Sequence, residues 1–191
     1  MNMFNTPLKD YVKVYKGFYD AEFCKTVVGQ IECINWTEHT FYDLALNKHK
    51  SYDHELSVSH DVVPAKKDLD LKIWYAIDKY VNQDFGYMKD WYDGWNGYSY
   101  CRFNRYNPDT KMKLHCDHIQ SMFDGNKKGI PTLTVLGALN EDYEGGEFVL
   151  CDEQIDFKTG DVMIFPSNFL YPHEVKPVKS GVRYSFVSWV W

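Results

Sequence analysis

Paired cysteines are missing from this chain: none of Cys24, Cys33, Cys101, Cys116 and Cys151 stands at CxxC spacing from another, and their number is odd. Both facts argue against a disulfide framework and against a cysteine-built structural zinc site, and a reducing, cytoplasmic setting is the expectation. A long apolar run is missing too. The opening stretch MNMFNTPLKDYVKVYKGFYD is not continuously apolar, so neither a signal peptide nor a membrane span is expected. Basic charge is short: 21 Lys and Arg against 27 Asp and Glu leave a net charge of −6, which argues against broad nucleic-acid binding. Internal repeats, low-complexity tracts and an interdomain linker are also lacking, and one domain over 1–191 is expected.

What is abundant is apolar and aromatic. Hydrophobic residues make up 45% of 191, enough for a sizeable core, and aromatics at 17% lean the fold toward strands. Residues 11–18 alternate as a first strand. Asp20 stands as an N-cap before a helix over about 21–34, and Leu69, Ile73, Trp74, Ile77, Tyr80 and Val81 stripe a second helix over about 66–83. Residues 35–65 read as loop with a short strand near 55–60. From Gly97 onward short β-type runs alternate with turn signals: 98–106, 111–116, 131–139, 147–150, 161–165 and 182–191. The expected class is α+β, with a helical support region over 1–97 and a sandwich or barrel core over 98–191.

The most informative stretch is Lys113-Leu114-His115-Cys116-Asp117-His118. On an extended chain His115 and Asp117 share a face, while Cys116 and His118 point away. A third ligand has to come from elsewhere, and His173, between two β-type runs, is the natural candidate. Two histidines and one carboxylate on one side of a metal leave the opposite positions open, the facial arrangement of non-haem Fe(II) oxygenases. The HxD triplet carries little alone, and His39, His49, His54 and His60 read as ordinary surface or hydrogen-bonded histidines.

Ten residues past His173, Arg183 and Ser185 share one face of the last β-type run, with Tyr184 and Phe186 on the other. A guanidinium on an interior face needs an anionic partner. A dicarboxylate ligand held bidentately would supply it, with Ser185 adding a hydrogen bond, and a protein carboxylate such as Glu147 would serve equally.

Taken in order, these pieces resemble the Fe(II)/2-oxoglutarate-dependent dioxygenase superfamily, in its prolyl 4-hydroxylase-like branch. KVYKGFYDAEFCKTVV resembles that family's opening strand and helix. Tyr106 followed nine residues later by His115-Cys116-Asp117, the turn Leu139–Glu147 with Gly145-Gly146, and the closing segments Gly160–Ser167, His173–Val175 and Gly181–Ser185 resemble the rest. The resemblance implies a double-stranded β-helix (jelly roll) with N-terminal helices packed on one sheet. It implies that His115, Asp117 and His173 hold Fe(II), that Arg183 holds the distal carboxylate of 2-oxoglutarate with Tyr106 as a second contact, and that O2 is a cosubstrate with ascorbate as a further candidate. It implies hydroxylation of a C–H bond with release of succinate and CO2, most of all at a prolyl residue of a peptide or protein. An aspartate at 117 agrees with hydroxylation, since related halogenases have a small residue there.

Two positions depart from the pattern. Many collagen-type members have lysine where this chain has Arg183, and a family tyrosine is replaced by Ala138. The aromatic segment 85–98 offers Tyr87, Trp91, Tyr92 and Trp95 as a substrate groove, or as packing between helix and sheet. The polar stretch 36–60 and the turn 125–129 are candidate loops over the site. Two other readings remain: a nucleic-acid base demethylase, against which Trp189 stands where repair-type members carry a second arginine, and a non-catalytic jelly-roll binding module. A small-molecule substrate also fits, and oligomeric state is not legible in the sequence.

Overall fold

A computed structural model of the chain describes residues 6–43, 45–88, 97–117 and 130–191. Two antiparallel sheets form its body. The larger runs Lys13–Tyr15, Val162–Pro166, Leu133–Ala138, Arg183–Val190, Arg102–Tyr106, Ser57–Ser59, Thr37–Glu38 in spatial order. The smaller runs Glu153–Gln154, Phe148–Leu150, His173–Val175, Met112–His115. Chain neighbours within a sheet are mostly distant in sequence, as a double-stranded β-helix requires. No helix among the described residues is long and apolar enough to cross a membrane.

Period-two alternation divides the core in two. On Arg183–Val190, Tyr184, Phe186 and Val190 join Phe103, Val135 and Ile164 beneath the helices. Val187 and Trp189 face the other way, toward Phe148 and Val175 of the smaller sheet. Helix α1, Ala21–Ile31, and helix α2, Lys66–Asp78, close the outer side through Cys24, Val27, Ile31, Leu69, Ile73 and Ile77, all with no exposed surface. Gly137 sits where the sheet must approach its neighbour: it pairs with Phe186, and a Cβ there would overlap the Phe186 ring. Gly137→Ala is therefore expected to cost about 3 kcal/mol by overpacking, read as a lower urea midpoint at unchanged slope.

Several boundaries differ from the sequence reading, each for a local reason. Helix α1 begins as expected, with the Asp20 carboxylate accepting from the Phe23 N–H at 2.8 Å. It stops three residues short of 34 because the Ile31 carbonyl is taken by the Trp36 indole at 3.2 Å, while the Asn35 N–H turns to the Asp61 carboxylate at 3.1 Å. Helix α2 passes into a π-helical stretch, Lys79–Asp84, that ends near the expected 83. The first strand contracts to Lys13–Tyr15, since Leu8–Tyr11 is a 3-10 turn and Gly17 adopts φ +57°. Residues 35–65 are more ordered than expected. Besides the expected short strand, Ser57–Ser59, they contain Thr37–Glu38 and the hairpin Phe41–Asp43 with Lys48–Lys50, strands of two or three residues that are too short to show periodicity. The N-terminal half thus gives three strands to the larger sheet as well as its helices.

Candidate metal centre and cosubstrate pocket

His115 ends the strand Met112–His115 and stands directly across the ladder from His173, which begins His173–Val175. Asp117 follows two residues later and is buried. Its Oδ1 lies 3.2 Å from His115 Nε2 and 3.6 Å from His173 Nε2, and one ligand atom from each of the three falls within 4.8 Å of the others. Ligands about 2.1 Å from a common ion at right angles stand about 3 Å apart, so the spacing fits three adjacent positions on one metal.

The donor chemistry fits as well. His115 Nδ1 is 2.8 Å from the Lys113 carbonyl and His173 Nδ1 is 3.1 Å from the Tyr171 carbonyl. A carbonyl only accepts, so each Nδ1 carries the proton and each Nε2 presents a lone pair. Asp117 Oδ2 accepts from the Thr134 hydroxyl at 2.8 Å, and Thr134 Oγ1 lies 2.8 Å from Ser167 Oγ, both residues buried. That leaves Oδ1 for the metal. Burial alone would raise the Asp117 carboxyl, but the two imidazoles hold it well below its ordinary range. His173 is buried, which lowers its pKa, yet the Asp117 carboxylate raises it overall. Thr134→Val removes the hydroxyl that orients Asp117, and a metal affinity lower by about 10- to 100-fold is expected in an anaerobic titration.

Arg183, 3% exposed, lines the same cavity. Its Nη1 donates to Ser185 Oγ at 3.2 Å, its Nε has no partner, and no carboxylate among the described residues pairs with it, Glu147 included. Tyr106 is its register partner across the sheet, with the ring 4.9 Å from the guanidinium carbon. Burial raises the Tyr106 phenol, which keeps it a neutral hydrogen-bond donor. A buried guanidinium with no carboxylate partner, beside a serine and a tyrosine, has the chemistry to receive a carboxylate. Gly146, at φ +64°, leaves room for it, since a Cβ there would come 3.1 Å from Arg183 Cδ. Met112, Leu136, Phe148, Phe157 and Val175 complete apolar walls around the cavity.

The other sequence candidates fare differently. Tyr87 is 53% exposed, with its ring against Phe85 of the helix-side core, and does not line this cavity. Trp91, Tyr92, Trp95, His118 and the turn 125–129 lie outside the described residues. His39, expected to be ordinary, is buried beside the site. It meets Phe41 edge-on at 4.6 Å, and Phe41 meets His115 at 5.6 Å. Its pKa falls to about 3 through burial and then the positive charge of Arg102. Thr134, Ser167, Arg102, Asn104 and Trp189 were not foreseen at the site. Counting back by twos from Tyr106 would have found Asn104 and Arg102.

Residues 101–191 match the family model described as the 2OG-Fe(II) oxygenase superfamily. A PKHD-type hydroxylase of Stenotrophomonas maltophilia is 30% identical over 95 residues, covering 47% of this chain and 41% of that relative. The PKHD-type hydroxylase PiuC of Pseudomonas aeruginosa is 31% identical over 94 residues, covering 46% and 41%. The match thus spans about two fifths of the length of these curated relatives. Among solved structures, a Trichoplax adhaerens prolyl hydroxylase in complex with a hypoxia-inducible factor peptide superposes with TM-score 0.71 at 20% identity over 95% of this chain and 84% of that one. A Pseudomonas putida prolyl-4-hydroxylase gives 0.67 at 15% identity over 94% and 91%.

Proposed function

We propose, from the premise that residues 101–191 belong to the 2OG-Fe(II) oxygenase superfamily, that this chain is an Fe(II)- and 2-oxoglutarate-dependent dioxygenase that hydroxylates a prolyl residue in a peptide or protein. The carrying observation is the convergence of two Nε2 atoms and Asp117 Oδ1 in a cavity whose far wall bears an arginine without a carboxylate partner. Relatives named as hydroxylases, and structural neighbours named as prolyl hydroxylases, one of them with a bound peptide, support a prolyl peptide as substrate class.

The residues divide the work. His115, Asp117 and His173 would hold Fe(II) on one side, leaving positions open to the cavity. Arg183 and Ser185 would bind the distal carboxylate of 2-oxoglutarate, with Tyr106 alongside. Iron, 2-oxoglutarate and O2 together supply the oxidation, in which the 2-oxo acid becomes succinate and CO2 and one oxygen atom enters the substrate C–H bond. Thr134 and Ser167 fix the carboxylate so that its free oxygen stays on the metal side. The apolar walls keep bulk water from the reacting centre. Incubating the iron-loaded protein with proline-containing peptides and, separately, nucleosides tests this. Succinate formation and a mass gain of one oxygen are expected with a peptide, and neither with nucleosides. Succinate with nucleosides alone would overturn the reading.

A further inference from the structure

The cavity holds a second arginine that no part of the proposed reaction uses. On Arg102–Tyr106, alternation puts Arg102, Asn104 and Tyr106 on the cavity side, where all three are lining residues. Tyr106 pairs in register with Arg183, and Arg102 pairs with Val187. Four residues of strand separate the two backbone positions by about 13 Å. Trp189 is opposite Thr134, the residue that anchors Asp117. Arg102 and Trp189 therefore mark one end of the row and Arg183 with Tyr106 the other.

At that end the donors exceed the acceptors. Arg102 Nε donates to Asn104 Oδ1 at 3.1 Å and its guanidinium carbon lies 5.0 Å from the Trp189 ring, but no carboxylate among the described residues pairs with it. Trp189 is 8% exposed, and its indole N–H, buried in the same wall, has no partner. The surroundings are positive: the charge of Arg102 adds to burial in depressing both His39 and His60. Burial lowers the pKa of Arg102 itself, and the Asp117 carboxylate is the main charge opposing that shift. In the loaded enzyme that carboxylate is committed to the metal and to Thr134.

We propose that Arg102, with the Trp189 indole N–H, binds a carboxylate of the primary substrate, so that the enzyme selects a prolyl substrate carrying a negative charge beside the ring to be oxidised. This rests on the hydroxylase reading above. A planar guanidinium takes a carboxylate through two parallel N–H···O bonds, and an unpaired buried N–H beside it gains a third acceptor. Two sources share that chemistry: an acidic side chain next to the target proline, and the free α-carboxylate of a terminal proline.

Binding without turnover separates them. Zn(II)-loaded protein, with no 2-oxoglutarate, is titrated by tryptophan fluorescence with two probe pairs: acetyl-Pro-Glu-amide against acetyl-Pro-Gln-amide, and acetyl-Gly-Pro free acid against its amide. One acid probe is expected to bind at least about tenfold tighter than its neutral partner, since hydrogen bonds to a charged group outweigh neutral ones. Arg102→Gln should erase that preference while amide binding and 2-oxoglutarate affinity stay unchanged, and Arg102→Lys should retain part of it. Equal binding of acid and amide in both pairs by the unaltered protein, or no binding of either acid probe, overturns the proposal whether or not a variant folds. So does a preference that survives Arg102→Gln, or a matching loss of 2-oxoglutarate affinity, which places Arg102 at the cosubstrate. An acid preference without succinate formation would sink the hydroxylase reading and leave this site standing. Equal succinate formation from the acid and its neutral partner in both probe pairs would do the reverse.

Discussion

Asp117→Ala is expected to lose Fe(II) binding and substrate-dependent succinate formation together, with metal affinity down by more than about 100-fold, beyond the loss typical of removing an outer partner. Asp117 Oδ1 is the atom common to both short contacts of the triad, 3.2 Å from one imidazole and 3.6 Å from the other. Without it, two neutral imidazoles remain on neighbouring strands, and His173 loses the anion that raises its pKa, so burial then lowers it. Thr134→Val supplies an internal scale, because it keeps the ligand and removes only the hydroxyl that orients it. An anaerobic metal titration of both variants should rank them with Asp117→Ala far the weaker. Unchanged metal affinity in Asp117→Ala would refute the assignment of the ligand.

Arg183→Gln is expected to raise the KM for 2-oxoglutarate by about 100-fold, the scale on which removing one partner of a buried charge pair costs about 3 kcal/mol. Metal affinity should not change, because Arg183 touches Ser185 and Tyr106 and none of the three ligands. The same substitution should leave the protein without cosubstrate equally stable or more so. In that state Arg183 is a buried cation with no carboxylate partner, and neutralising it removes a desolvation cost. A steady-state KM measured beside a urea midpoint reads both effects. An unchanged KM, or a large fall in the urea midpoint, would assign Arg183 to structure rather than to the cosubstrate.

The terminal strand was the most legible part of the fold, because eight consecutive residues alternate and each side has one place to go: Arg183 and Ser185 to the cavity, Tyr184 and Phe186 to the helices. His115 and Asp117 were legible for the same period-two reason. The partner strand His173–Val175 was not, since its three residues are too few to show a pattern, and only its pairing with His115 and Phe148–Leu150 makes it a strand. Thr134 and Ser167 were hidden differently. Their role depends on a contact with Asp117 across 17 residues and with each other across 33, and nothing local to either announces it. His39 looked ordinary because its neighbourhood is polar, and its burial comes from strands too short to read, Thr37–Glu38 and Phe41–Asp43.

The most direct test of the account is 2-oxoglutarate binding measured anaerobically with and without Fe(II), by calorimetry, in the unaltered protein and in Asp117→Ala and Arg183→Gln. One cosubstrate per chain is expected, bound tightly only when iron is present, and tight binding is lost in both variants by different routes: Asp117→Ala because the metal is gone, Arg183→Gln although the metal remains. Binding of 2-oxoglutarate that ignores iron, or iron-loaded protein that does not bind it, would contradict the account.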